Sequence, residues 1–200
     1  MEPESAGVPP VFLRLLLAGA LEPTEYADLL VQYREVYAAL GLVSEQCISD
    51  DPLVVSLVAG CRARLMDLEA DLAVLLGPRW PQAEVLPAAR AYRNRALVAA
   101  ANPEGLIAHH LVRYAADWLG AGQIFLAVSD AFGPLADRLR FHAPALGLVQ
   151  CPVNSGAGIA ALTTVPWGRE RTEQVVAEAA AASACDRALL DALGAALGRR

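Results

Sequence analysis

Residues 109–125 read "HHLVRYAADWLGAGQIF" and put two histidines, an arginine and an aspartate beside two glycines. On a helix, residues four apart are neighbours, so His109 meets Arg113, Arg113 meets Asp117, and His110 meets Tyr114. Imidazoles bind metals or move protons near neutral pH, and an arginine with a carboxylate can orient water. Gly120 and Gly122 are the odd members of the set, because an interior glycine costs a helix about 0.5–1 kcal/mol relative to alanine. A helix that keeps them brings bare backbone close to something, either a second helix or a flat ligand. The plain readings are a close helix crossing and an ordinary helical ion pair.

The surrounding elements are helices. Asn102 as N-cap, Pro103 at the first helical position and Glu104 in the first turn open the helix that carries this stretch. "EPTEYADLLVQYREVYAALG" spaces Tyr26, Leu29, Leu30, Tyr33, Tyr37 and Leu40 on one face and is expected to close on Gly41. Asp50 or Asp51 with Pro52 predicts a third helix that ends at Gly77, and "EVLPAARAYRNRALVAAA" a fourth. Glu170 to about Leu197 predicts a last one with a Val175, Val176, Leu189, Leu190 and Leu193 stripe. No segment alternates like a strand and no repeat or linker divides the chain. The prediction is one all-α domain, a multi-helix bundle over residues 1–200.

Composition agrees and narrows the partners. The chain has 200 residues and is 56% apolar with a net charge of −6. Its basic residues do not cluster, so no nucleic-acid or anionic-membrane surface is expected. The longest stretch free of formal charge, Phe141 to Gly168, holds three prolines and several polar residues. It reads as a buried, irregular connection with a short helix rather than a membrane span. The acidic, proline-rich start lacks the basic region of a signal peptide, and the four cysteines lack metal spacing. A cytoplasmic protein with free thiols is expected.

"LIAHHLVRYAADWLGAGQIF" resembles the distal helix of heme oxygenases, with its Ala-His-x-x-x-Arg-Tyr-x-x-Asp pattern followed by a glycine-rich turn. "FLRLLLAGALEPTEYADLLVQYREVYAALG" is similar to the family's opening, and "RTEQVVAEAAAASACDRALLDALGAAL" to its C-terminal helix. The resemblance implies a heme oxygenase-like bundle. It implies that Gly120, Ala121 and Gly122 lie against the heme at a helix kink, and that Asp117 and Arg113 form the distal polar network. It implies that His109 is not the iron ligand.

The same resemblance exposes departures. The family's iron-binding histidine, counted back from Phe12, falls on Glu4, and no histidine precedes His109. The basic residues that meet the heme propionates are missing both before Arg14 and around residues 154–163. "DWLGAGQ" is one residue longer than the common distal turn. The first reading is therefore a family member whose heme ligation is lost or altered, with a pocket for a tetrapyrrole or another apolar small molecule. The alternative is an active heme oxygenase that forms biliverdin with a redox partner, its iron held by His110 or His142. A third reading is a di-metal oxidase using Glu35, Glu104, His110 and Asp117, although no Glu-x-x-His pair is present.

Overall fold

The computed structural model describes residues 8–46, 54, 61–99, 101–143 and 167–199, and within them the side chains of 61–63, 115–119 and 121 are not described. Among the described residues every regular element is helical: α1 (Val11–Leu17), α2 (Pro23–Gln46), α3 (Cys61–Leu76), α4 (Pro87–Ala99), α5 (Pro103–Phe132) and α6 (Arg169–Leu197), with 3-10 turns at Gly77–Gln82 and Gly133–Arg138. No helix among them is long and apolar enough to cross a membrane.

α2 is the centre of the bundle. Pro23 opens it, and Glu25 Oε2 reaches back to accept the Glu22 N–H at 2.8 Å, tying the first turn to the chain before it. The expected stripe is buried, from Tyr26 to Leu40, and Val36 joins it. α3 and α4 flank α2, while α5 and α6 form the other main pair and α1 lies across both. Gln32, almost fully buried, fixes the loop before α4: its amide donates to the Glu84 carbonyl at 3.1 Å and accepts the Leu86 N–H at 2.8 Å.

Two expected boundaries need correction. α2 does not stop at Gly41 but runs on to Gln46, because a Cβ at Gly41 would meet nothing and Ser44, one turn later, is still buried. Val176 is 62% exposed and not part of the α6 stripe, whereas Val175, Leu189, Leu190 and Leu193 are buried. The end of α3 at Gly77 and the span of α6 agree with the sequence reading. The start of the third helix at Pro52 and nearly all of the Phe141–Gly168 connection lie outside the described residues.

The chain leaves α5 through a clamp. Asp71 on α3, fully buried, accepts the N–H groups of Arg140 and Phe141 at 2.8 and 2.9 Å. Arg64 donates to the Phe141 carbonyl at 2.6 Å and lies over its ring. Burial raises the Asp71 pKa to about 6, against the opposing pull of the two N–H bonds. The folded chain therefore holds a proton that the unfolded chain has released, and this contribution is lost as pH rises from about 4 to 6. His110, whose pKa burial lowers to about 4, acts oppositely: below about pH 6.5 the unfolded chain takes a proton that the folded chain refuses. The two slopes offset each other between about pH 4 and 6. Asp71→Asn is expected to remove one of them, so that urea midpoints measured across this range fall with acid more steeply than in the wild type. Parallel pH profiles for the two proteins would contradict this.

Candidate functional site

α5 starts as the sequence implies. The Asn102 side chain accepts the Gly105 N–H at 2.7 Å, and Pro103 occupies the first turn, where its missing donor costs nothing. The helix then stays α-helical through Gly120 and Gly122 to Phe132. Its first half is buried, with Leu106, Ile107, Ala108, His109, His110, Arg113 and Tyr114 all enclosed.

Arg113 has partners that its own helix does not supply. Its guanidinium lies across the faces of Tyr33 and Tyr37, 4.0 and 5.7 Å from their centroids, and donates to Asp186 of α6 at 2.5 Å. A cation only 1% exposed must have a counter-charge, and the α6 carboxylate supplies it. The side chain of Asp117 lies outside the described residues, as does that of Ala121.

Seven residues after Arg113, Gly120 lies within about 20° of the same direction around the helix. There the cover is gone. Among the described residues, a Cβ built on Gly120 would meet only Ile124 Cδ1, at 4.0 Å, and one built on Gly122 would meet nothing. Gly122 and Gln123 are exposed. Neighbours return further along, where Gly19, at φ 64°, lets the turn after α1 approach α5: a Cβ there would sit 3.3 Å from the Ala127 carbonyl oxygen and 3.7 Å from Ala131 Cβ. Gly120 and Gly122 are thus not crossing-point glycines among the described residues. They leave a bare length of backbone between a packed half-helix and the α1 crossing.

The three histidines are all committed elsewhere. His109 Nε2 pairs with Glu178 at 2.9 Å, and the same carboxylate meets Arg95. Burial lowers the His109 pKa even against this partner. His110 Nδ1 carries the proton, because the Leu106 carbonyl 2.8 Å away can only accept, and its Nε2 lies 3.1 Å from the Ser44 hydroxyl. The His110 ring stacks on Tyr114. His142 Nδ1 lies 2.7 Å from the Tyr26 hydroxyl, with Phe141 edge-on to its ring. His110 and His142, the candidates at the cofactor, are both buried, and each has an apolar shelf and a hydrogen-bond partner inside the bundle.

The di-metal reading is not supported. Among the described residues no three His, Cys, Asp or Glu side chains converge on a metal position. Glu35 is paired with Arg93 at 2.8 Å, and Glu104 with Arg171 at 3.1 Å. Trp80 and Trp167 are partly buried and pack against the core. A small cavity of about 80 Å³ lies between α2 and the Trp80–Pro81 turn, away from α5. Sequence reasoning missed Gln32, Ser44, Asp71 and Asp186, each a buried or half-buried partner contributed from a distant element.

Residues 10–191 match the family model described as heme oxygenase. The chain is 35% identical over 115 residues to heme oxygenase 1 of Nostoc sp., an alignment covering 56% of this chain and 48% of that protein. It is 32% identical over 121 residues to heme oxygenase 1 of Synechocystis sp., covering 60% and 50%. The chain thus spans about half the length of these two curated relatives. Among solved structures, heme oxygenase-1 from Synechocystis sp. in complex with heme superposes with a TM-score of 0.75 at 25% identity, over 94% of this chain and 87% of that one. Heme oxygenase-2 from the same organism, in complex with heme and NO, gives 0.77 at 25% identity, over 92% and 77%. Fold and sequence agree: the chain belongs to the heme oxygenase family.

Proposed function

We propose that this chain binds a heme-type tetrapyrrole flat against the Gly120–Gly122 stretch of α5, and that the usual histidine ligation of the iron is lost or altered in it. The observation that carries the reading is the backbone at Gly120, where among the described residues a side chain would meet only Ile124 at 4.0 Å. The solved relatives named above hold heme, and this chain keeps their fold over most of its length. The residues present fit the ring but not an imidazole-held iron, since His109, His110 and His142 are each engaged inside the bundle. Heme, when bound to this family, supplies iron at which oxygen chemistry occurs. What this chain's own residues offer is a flat apolar wall, with Ile124 beside it and Arg113 held away from it by Asp186.

The glycines give the test. If they are kept for a ligand and not for folding, Gly120→Ala and Gly122→Ala each raise the unfolding free energy by about 0.5–1 kcal/mol, because helical backbone becomes less costly to order. Gly120→Leu is expected to weaken heme binding about tenfold, some 1.4 kcal/mol, by lifting the ring off the backbone. Absorbance titration with hemin and urea denaturation measure the two effects. Unchanged heme affinity in Gly120→Leu would remove the reading. Turnover of heme to biliverdin with a reductase present would replace it with the alternative, an active heme oxygenase with unconventional ligation.

A further inference from the structure

We infer that the site takes tetrapyrroles by the shape and apolar area of the ring and not through the ring metal, so that a metal-free porphyrin binds as tightly as heme. This rests on the proposed function and specifies its ligand class.

The chain has three histidines, all are described, and each has a hydrogen-bond partner, although the buried His109 Nδ1 has none among the described residues, so position decides whether any can reach a ring metal. His109 and His110 stand on the same helix as the glycine wall, ten or eleven residues earlier, which is about 15–16 Å along the axis. A ligand to a ring metal must approach roughly along the ring normal, to about 2 Å. A side chain from the helix the ring lies on, three turns away and fully buried, does not have that approach. His142 belongs to the other end: it is bound to Tyr26, whose ring is 5.8 Å from that of Phe132 at the last turn of α5, about 18 Å from Gly120 along the axis.

Freeing any of the three would also break a hydrogen bond. Glu178, Ser44 and Tyr26 would each lose a hydrogen bond in or beside the core. Of the described sulfur donors, Cys185 is half-buried on α6 with its thiol pKa raised by burial, and Met66 points outward from α3. Among the described residues, what remains to hold a ligand is contact between a planar ring and bare helix backbone, with the Ile124 side chain at its margin. Desolvation and dispersion scale with area, and a porphyrin has the same area and planarity with or without its metal.

The test titrates the full 200-residue chain with hemin and with metal-free protoporphyrin, following absorbance and tryptophan quenching. The expected result is dissociation constants within about threefold of each other, parallel weakening of both by Gly120→Leu, and a hemin spectrum unchanged in His110→Ala and His142→Ala. Hemin binding at least tenfold tighter than the metal-free ring overturns the inference while leaving the proposed function standing. Failure of both rings to bind overturns the two together.

Discussion

Asp186→Ala is expected to destabilise the protein by about 3–5 kcal/mol, among the larger effects any single substitution here should have. Arg113 is 1% exposed and donates to Asp186 at 2.5 Å, so removing the carboxylate takes a counter-charge from a guanidinium in the core that also lies across the Tyr33 and Tyr37 faces. Cation–π contact of this kind is worth about 1–2 kcal/mol and does not replace a counter-ion. Arg113→Ala should cost a similar amount by a different route, since Asp186 is partly open to water but a large side chain is deleted. The double variant Arg113→Met/Asp186→Leu separates charge from packing. It should recover most of the loss, because buried pairs replaced together by apolar groups are often neutral or better. Urea denaturation compares the four proteins, and a single Asp186→Ala variant within 1 kcal/mol of wild type would show that the pair does not anchor α5 to α6.

That pair also shows where the sequence stops being legible. The local grammar of the helices was readable because it is written in neighbouring residues. Asn102 caps and Pro103 opens α5, Gly77 follows the end of α3 in a left-handed conformation, and the tyrosine and leucine stripe of α2 is buried as its spacing implies. The distal-helix motif likewise pointed to the family that the whole-chain comparison shows. Side-chain destinations were not readable in the same way. Spacing offers Arg113 only partners on its own helix, such as Asp117. Burying the guanidinium calls for a counter-charge, and Asp186, 73 residues away, supplies one. His110 similarly finds Ser44 across 66 residues, and Asp71 finds the Arg140 and Phe141 backbone across about 70. No periodicity encodes such partners, because they depend on how α2, α3, α5 and α6 cross. The same crossings decide which partners His110 and His142 find inside the bundle.

Gly105→Ala is expected to cost about 3 kcal/mol and lower the melting temperature by roughly 10 °C, whereas the same change at Gly120 or Gly122 should stabilise. All three glycines are on α5, so helix propensity favours alanine equally at each. The surroundings decide the sign. A Cβ at Gly105 would sit 2.0 Å from the Ala99 carbonyl oxygen and 2.6 Å from its carbon, and both are backbone atoms that no rotamer change can move. The corner between α4 and α5 would have to open, pulling the Gly105 N–H from the Asn102 side chain that caps the helix at 2.7 Å. Loss of that cap alone is worth about 1 kcal/mol. At Gly120 the nearest described atom is a flexible methyl at 4.0 Å, and at Gly122 none lies within that range, so only the backbone-entropy gain remains. Thermal unfolding of the three alanine variants tests the contrast directly. A stabilised Gly105→Ala would mean that the α4–α5 corner yields freely. A destabilised Gly120→Ala would make that glycine a packing residue and withdraw it from the proposed site. The sequence shows three glycines in one helix; only their neighbours distinguish the one that builds the fold from the two left bare.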